Sequence, residues 1–220
     1  FGGVLPNELA KTVAWSYLMQ GNQLCNRAKN EIGKEADRLF EEAYDKYAMA
    51  FNINANQDEA LNNWGIALTD QAKTKSGDVA DNLFTRAKEK FQAAVIMNPC
   101  KNQALNNWGC TLAIQARTKH NQEAETLYVQ ATQKFQEALS VNNNDSYALS
   151  NWGNTLLWLA NQKSASERIN LLIVAQEKVR MAEMTSPGIG AYDLACIAAQ
   201  SEDEKACRRW LEVGKKYGSI

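Results

Sequence analysis

Apolar residues recur at spacings of three and four along almost the whole chain, and short polar interruptions separate the runs. That period belongs to one face of a helix. Leu9, Val13, Leu18 and Leu24 predict a helix from Leu9 to about Ala28, with Asn7 as its cap and Glu8 in its first turn. Gly21 weakens it locally by roughly 1 kcal/mol relative to alanine. Ala36, Leu39, Phe40, Ala43, Tyr47 and Ala50 mark a second helix over Glu31 to Asn52, closed by a turn at Asn54-Ala55-Asn56-Gln57. Ala60, Leu61, Trp64, Ala67, Leu68 and Ala72 follow, until Ser76-Gly77-Asp78 breaks the run. Asp78 is the expected cap of the next helix, paired with Asp81, and Asn98-Pro99 stops that helix after Met97.

The same pattern then returns. Asn62-Asn63-Trp64-Gly65 is matched by Asn106-Asn107-Trp108-Gly109 and by Ser150-Asn151-Trp152-Gly153, 44 residues apart each time. Each copy opens a helix whose partner carries a second stripe: Ala80 to Val95, Ala124 to Leu139, then Leu171 to Ala182. In the last of these Arg168 stands where Ala80 and Ala124 stood. After Ser186-Pro187-Gly188 comes a shorter pair, with Ser201 and Glu204 reading as a capping box for the final helix. This predicts an all-α chain of about ten helices in five antiparallel hairpins, with approximate units 7–55, 57–99, 101–143, 145–186 and 188–217 of one repeat domain. A hairpin of this size buries both faces only by stacking on its neighbours.

These residues resemble the tetratricopeptide repeat. Trp64-Gly65 and Leu68 are similar to its first-helix positions, and Ala87, Phe91, Ala94 and Pro99 to its second-helix and closing positions. Trp108-Gly109, Leu112, Ala131, Phe135 and Ala138 repeat the set, as do Trp152-Gly153, Leu156, Ala175, Val179 and Ala182. The period departs from the usual 34 residues, so both helices of each pair are expected to run past the customary turn. The resemblance implies a right-handed α–α superhelix whose first helices line a concave groove. It also implies that an asparagine ahead of the tryptophan can hold the backbone of a bound peptide, which here means Asn63, Asn107 and Asn151. The neighbouring line, Asn62 and Asn106, and the outlying Asn154 and Trp158 complete the candidate set. The alternative for the asparagines is purely structural: bonds to the next helix that support the tryptophans. Trp158 reads equally as an exposed anchor or as a seal on the fifth unit.

Composition narrows this picture by exclusion. The 24 basic and 25 acidic residues nearly cancel, which gives no general attraction to nucleic acid or an anionic surface. The basic residues that a carboxylate clamp needs are absent from Glu59, Asn62, Gln103, Asn106, Tyr147 and Ser150. His120, the one histidine, falls at a helix junction without a nucleophile or carboxylate at motif spacing. No Gly-rich phosphate loop, cofactor motif or metal-ligand spacing is present. Five cysteines at irregular intervals read as free thiols, which suits the cytoplasm or another reducing compartment. No run of apolar residues is long enough to span a bilayer. The chain begins at Phe1, which is compatible with a targeting segment removed before it. The expected function is a non-enzymatic scaffold that binds a peptide or helical segment of a protein partner. Self-assembly of the array is the second reading, and an RNA platform a distant third.

Overall fold

A computed structural model describes residues 6–54 and 57–219. Among them are ten α-helices and no strand: α1 Asn7–Ala28, α2 Gly33–Ile53, α3 Asp58–Ala72, α4 Gly77–Met97, α5 Asn102–Ala116, α6 Asn121–Val141, α7 Ser146–Ala160, α8 Ala165–Thr185, α9 Ala191–Gln200 and α10 Glu204–Tyr217. Residues 1–5 and 220, and residues 55 and 56 with the predicted turn and unit boundary there, lie outside the described residues. The chain divides into two compact units, Phe1–Thr111 and Leu112–Ile220.

In the first unit α1 packs on α2 and α3 on α4, and the two hairpins meet through α2 and α3. Close approach is built from a glycine on the first helix of each pair. A β-carbon on Gly65 would stand 2.7 Å from the Phe91 ring, and one on Gly21 2.6 Å from the Tyr47 ring. Phe91 and Tyr47 are both fully buried. Gly21 is therefore not a weak spot in α1, as its propensity suggests, but the first copy of the Gly65 position.

In the second unit α7 packs on α8, α9 on α10, and α8 on α9. Gly153 repeats the device against Val179. Leu156, Leu157, Ala160, Leu172, Ala175, Val179, Leu194 and Ile197 form one buried cluster, with Trp152 and Trp210 packed at its edge.

The tryptophans fill space between helices. Tyr44 stacks beside Trp64, and Lys90 Nζ lies 3.8 Å above the Trp64 ring. Lys178 covers Trp152 in the same way at 4.9 Å. Both indole nitrogens are buried without a hydrogen-bond partner among the described residues. The rings thus serve packing, with the lysine held over the electron-rich face.

Several helix starts differ from the expected caps. Pro6 precedes α1, and Asn7 is its first residue rather than its cap, because proline presets the backbone there. Asp78 and Asp81 lie inside α4, which Ser76 precedes, and no side chain caps it. Gly77 takes φ +57°, as Gly33 does at the start of α2 (+62°) and Asn121 at the start of α6 (+51°). A left-handed residue turns the chain sharply into α2, α4 and α6, a role open to glycine and tolerated by asparagine. Asp203, not Ser201, caps α10 by accepting from the Ala206 N–H at 2.9 Å, since Ser201 still closes α9. Asp145 caps α7, taking the Tyr147 and Ala148 N–H groups at 3.0 and 3.1 Å.

Candidate functional site

The first helices carry a connected row of carboxamides. Asn62 is buried at 2% exposure, and Asn63 beside it is half-buried. Asn62 donates to Asn63 Oδ1 (3.1 Å) and accepts from Asn107 Nδ2 (2.9 Å). Asn63 donates to Asn22 Oδ1 across the gap from α3 to α1 (3.1 Å). The Tyr47 hydroxyl donates to the same Asn22 oxygen at 2.9 Å. With its proton committed there, Tyr47 accepts from the Cys25 thiol at 3.4 Å. Burial pushes the ionisation of both Cys25 and Tyr47 to higher pH, so both stay protonated and neutral at ordinary pH.

Beside this row lies a recess of about 260 Å3, lined by Asn22, Asn26, Lys29, Asn63, Ile66 and Asp70 among others. Lys29 reaches Asp70 from just beyond α1 at 2.7 Å, and Lys73 reaches its other oxygen from just beyond α3 at 2.6 Å. The wall therefore offers amides, one apolar side chain and an ion pair within a single depression. Each carboxamide has two N–H bonds and two lone-pair positions. Asn63 uses one of each, which leaves a donor and an acceptor on a side chain already fixed in orientation. Asn22 spends both acceptor positions and no donor.

The candidate residues separate by depth. Asn62 and Asn106 are buried and act on their neighbours, whereas Asn63, Asn107 and Asn151 are half-exposed. In the second unit Ser150 and Asn154 turn toward α9. Ser150 Oγ donates to Asp193 Oδ2 (3.2 Å) and Asn154 Nδ2 to Asp193 Oδ1 (2.8 Å). Asp193 is buried, which pushes its carboxyl above the usual range against the effect of both bonds. Trp158 is 39% exposed. The Arg117 guanidinium sits 4.1 Å from its ring. Asn22, Asn26 and Lys29 escape the sequence reading, because α1 lacks the Trp-Gly signature that numbers the other copies. The one signal available is Gly21, 44 residues ahead of Gly65.

The one histidine, His120, is exposed at the start of α6. No group of three metal-ligating side chains occurs among them either. The five cysteines are free thiols. No described helix is long and apolar enough to cross a membrane.

Paired helices repeating at 44 residues, with a packed Trp-Gly on one and Ala-aromatic-Ala on the other, define a tetratricopeptide-repeat protein. Solved structures carry the same fold. A thermophilic TPR protein of Thermus thermophilus, TTC0263, is similar at TM-score 0.64 and 15% identity, over 94% of this chain and 97% of that one. MamA from Desulfovibrio magneticus RS-1 is similar at TM-score 0.59 and 17% identity, covering 94% and 96%. YrrB, titled a TPR protein with an unusual peptide-binding site, follows at TM-score 0.50 and 18% identity, covering 91% and 84%. No curated protein matches the chain. The family described as plant specific mitochondrial import receptor subunit TOM20 matches residues 35–150, more than half of the 220. The chain belongs to that family.

Proposed function

We propose that this chain is a non-enzymatic protein-interaction scaffold, and that the first-helix wall of the Phe1–Thr111 unit holds a segment of a protein partner. The observation that carries the reading is the pinned carboxamide row beside the recess. Asn63 is bonded on both sides, yet keeps one donor and one acceptor that match the backbone of a peptide. Ile66 supplies an apolar foothold, and the Lys29–Asp70 pair supplies charges of both signs. Membership of an import-receptor family supports a protein segment as the ligand class and a mitochondrial receptor context. Buried Asn62 then acts as a positioning residue, held by Asn107.

The test is a titration of the full chain with a synthetic targeting segment of an imported mitochondrial protein, followed by amide chemical shifts. Shifts are expected at Asn22, Asn63 and Ile66. Asn63→Ala is expected to weaken binding by about 1 kcal/mol, as for loss of one net hydrogen bond, with the far-ultraviolet helical signal retained. Shifts that map elsewhere, or unaltered affinity in the variant, would sink the reading. Collapse of the helical signal would assign the asparagines to folding instead.

A further inference from the structure

In the first unit the start of α2 is covered by the end of α3, the first helix of the next hairpin. Gln71, near the end of α3, accepts from the Tyr44 hydroxyl (2.7 Å) and donates to Asp37 Oδ1 (3.0 Å), both on α2. Lys75, in the loop just beyond, pairs with Asp37 at 2.6 Å. The second unit repeats the clasp: Lys163, beyond α7, pairs with Glu125 of α6 at 2.6 Å. Asp37 and Glu125 hold equivalent places, 88 residues apart, two periods of 44.

At the corresponding place on α8 the acid is replaced by Ile169, and the buried alanine before it (Ala36, Ala80, Ala124) by Arg168. The covering element is also cut short. The helix α9 has 10 residues where α3 and α7 have 15, and it ends at Gln200. A groove of about 540 Å3 opens where its missing turns would lie. Leu172 and Ile197 form its floor. Ile169 and Ile173, each 60% exposed, form its outer wall. The Arg168 side chain has no carboxylate partner among the described residues; its one hydrogen bond among them is a long one, 3.4 Å to Gln200 Oε1.

We infer that this α8–α9 groove seats an amphipathic helix of a partner protein, whose apolar face covers Ile169, Leu172 and Ile173 and whose glutamate or aspartate pairs with Arg168. The charge pattern selects the occupant. In Asp37–Lys75 and Glu125–Lys163 the second helix supplies the acid and the incoming element the base. At α8 the second helix supplies the base, so the incoming helix must supply the acid. The groove's lining runs along about 18 Å of α8, counting 12 residues from Ala165 to Gln176 at 1.5 Å each, which matches three turns of helix, with Ile169 and Ile173 exposed one turn apart. The site is separate from the carboxamide wall, and neither reading depends on the other.

The probes are three fluorescent helical peptides of 14 residues with one leucine face. They differ only in bearing glutamate, glutamine or lysine beside that face. With the full chain, the glutamate peptide is expected to bind most tightly. Arg168→Glu is expected to weaken it about tenfold or more and to reverse the preference toward the lysine peptide. Ile173→Ser, also at an exposed position, is expected to weaken all three peptides together. Thermal melts of both variants check the fold, and Arg168→Gln serves as the milder substitution if Arg168→Glu melts early. Equal binding of the three peptides, affinity indifferent to residue 168, absence of binding, or self-association of the chain through Ile173 would each overturn the proposal. The Asn63→Ala variant should bind these peptides normally, so failure here and failure at the carboxamide wall give different results.

Discussion

A β-carbon at Gly153 would stand 2.2 Å from Val179 Cγ2 and 3.1 Å from the Ala175 carbonyl oxygen. The valine is branched and the carbonyl is backbone, so neither gives way cheaply. Gly153→Ala is expected to destabilise the second unit by about 1–3 kcal/mol in a denaturant titration, as overpacking does. The reciprocal change, Phe91→Ala in the first unit, empties the space that Gly65 opens and should cost about 3–5 kcal/mol. Asp193 behaves differently, because its environment acts on a proton. Its carboxyl is raised by burial, so the folded chain holds that proton more tightly than the unfolded one. The contribution is fully present below the unfolded carboxyl range and is lost as pH climbs through the raised folded value. In Asp193→Asn the amide still accepts from Asn154 and can donate to Ser150. Melting temperatures of the two proteins compared from acid to neutral pH should show the wild type falling relative to the variant. A constant offset would mean that Asp193 does not titrate in this window.

Between elements, the turn from α8 to α9 depends on one side chain. The Glu183 carboxylate accepts from the Gly188 N–H at 2.7 Å and the Gly190 N–H at 3.0 Å. Gly188 has φ +96°, so the chain could not hold this turn with most other residues. Glu183→Ala leaves two part-buried donors without an acceptor and should cost about 1–3 kcal/mol. Hydrogen exchange should quicken at Gly188 and Gly190 first. The helices themselves are legible from the sequence, since the 3.6-residue stripe, the 44-residue return and the stop at Asn98-Pro99 place them within a few residues. Their starts are less so. Ser76, Gly77, Asp78 and Asp81 all favour a helix start, and only backbone geometry decides that Gly77 opens α4 while no carboxylate caps it. The site is half legible for a related reason. The Asn-Trp-Gly register marks Asn63 and Asn107, but α1 reads Met19-Gln20-Gly21 and hides Asn22. The bond from Asn63 to Asn22 joins residues 41 apart, a pairing that no local pattern encodes.

The whole molecule has no covalent ties beyond its backbone among the described residues. Its five thiols are free and differ in access: Cys100 is exposed, Cys25 is buried, and Cys110, Cys196 and Cys207 lie between. Burial also holds the Cys25 thiol in its unreactive protonated form. Maleimide labelling read by mass spectrometry should therefore modify Cys100 first and Cys25 last, with Cys25 reached only through opening of the first unit. Early modification of Cys25 would contradict the packing of α1 on α2. Reductant should leave the melting temperature unchanged.

The Asp37–Lys75 and Glu125–Lys163 clasps carry a consequence for how such a chain changes length. Each of the two interior segments, 57–99 and 101–143, carries a base at the Lys75 place (Lys75, Lys119) and an acid at the Asp37 place (Asp81, Glu125). An in-register duplication or loss of one segment would leave each remaining acid with a matching base, so interior copies are interchangeable in principle. The terminal copy is not. With Ile169 in place of the acid and Arg168 in place of the alanine, a further standard hairpin would meet an apolar side chain and a like charge. In-register growth suits the interior segments, whereas the α7–α8 hairpin is unsuited to a further standard one.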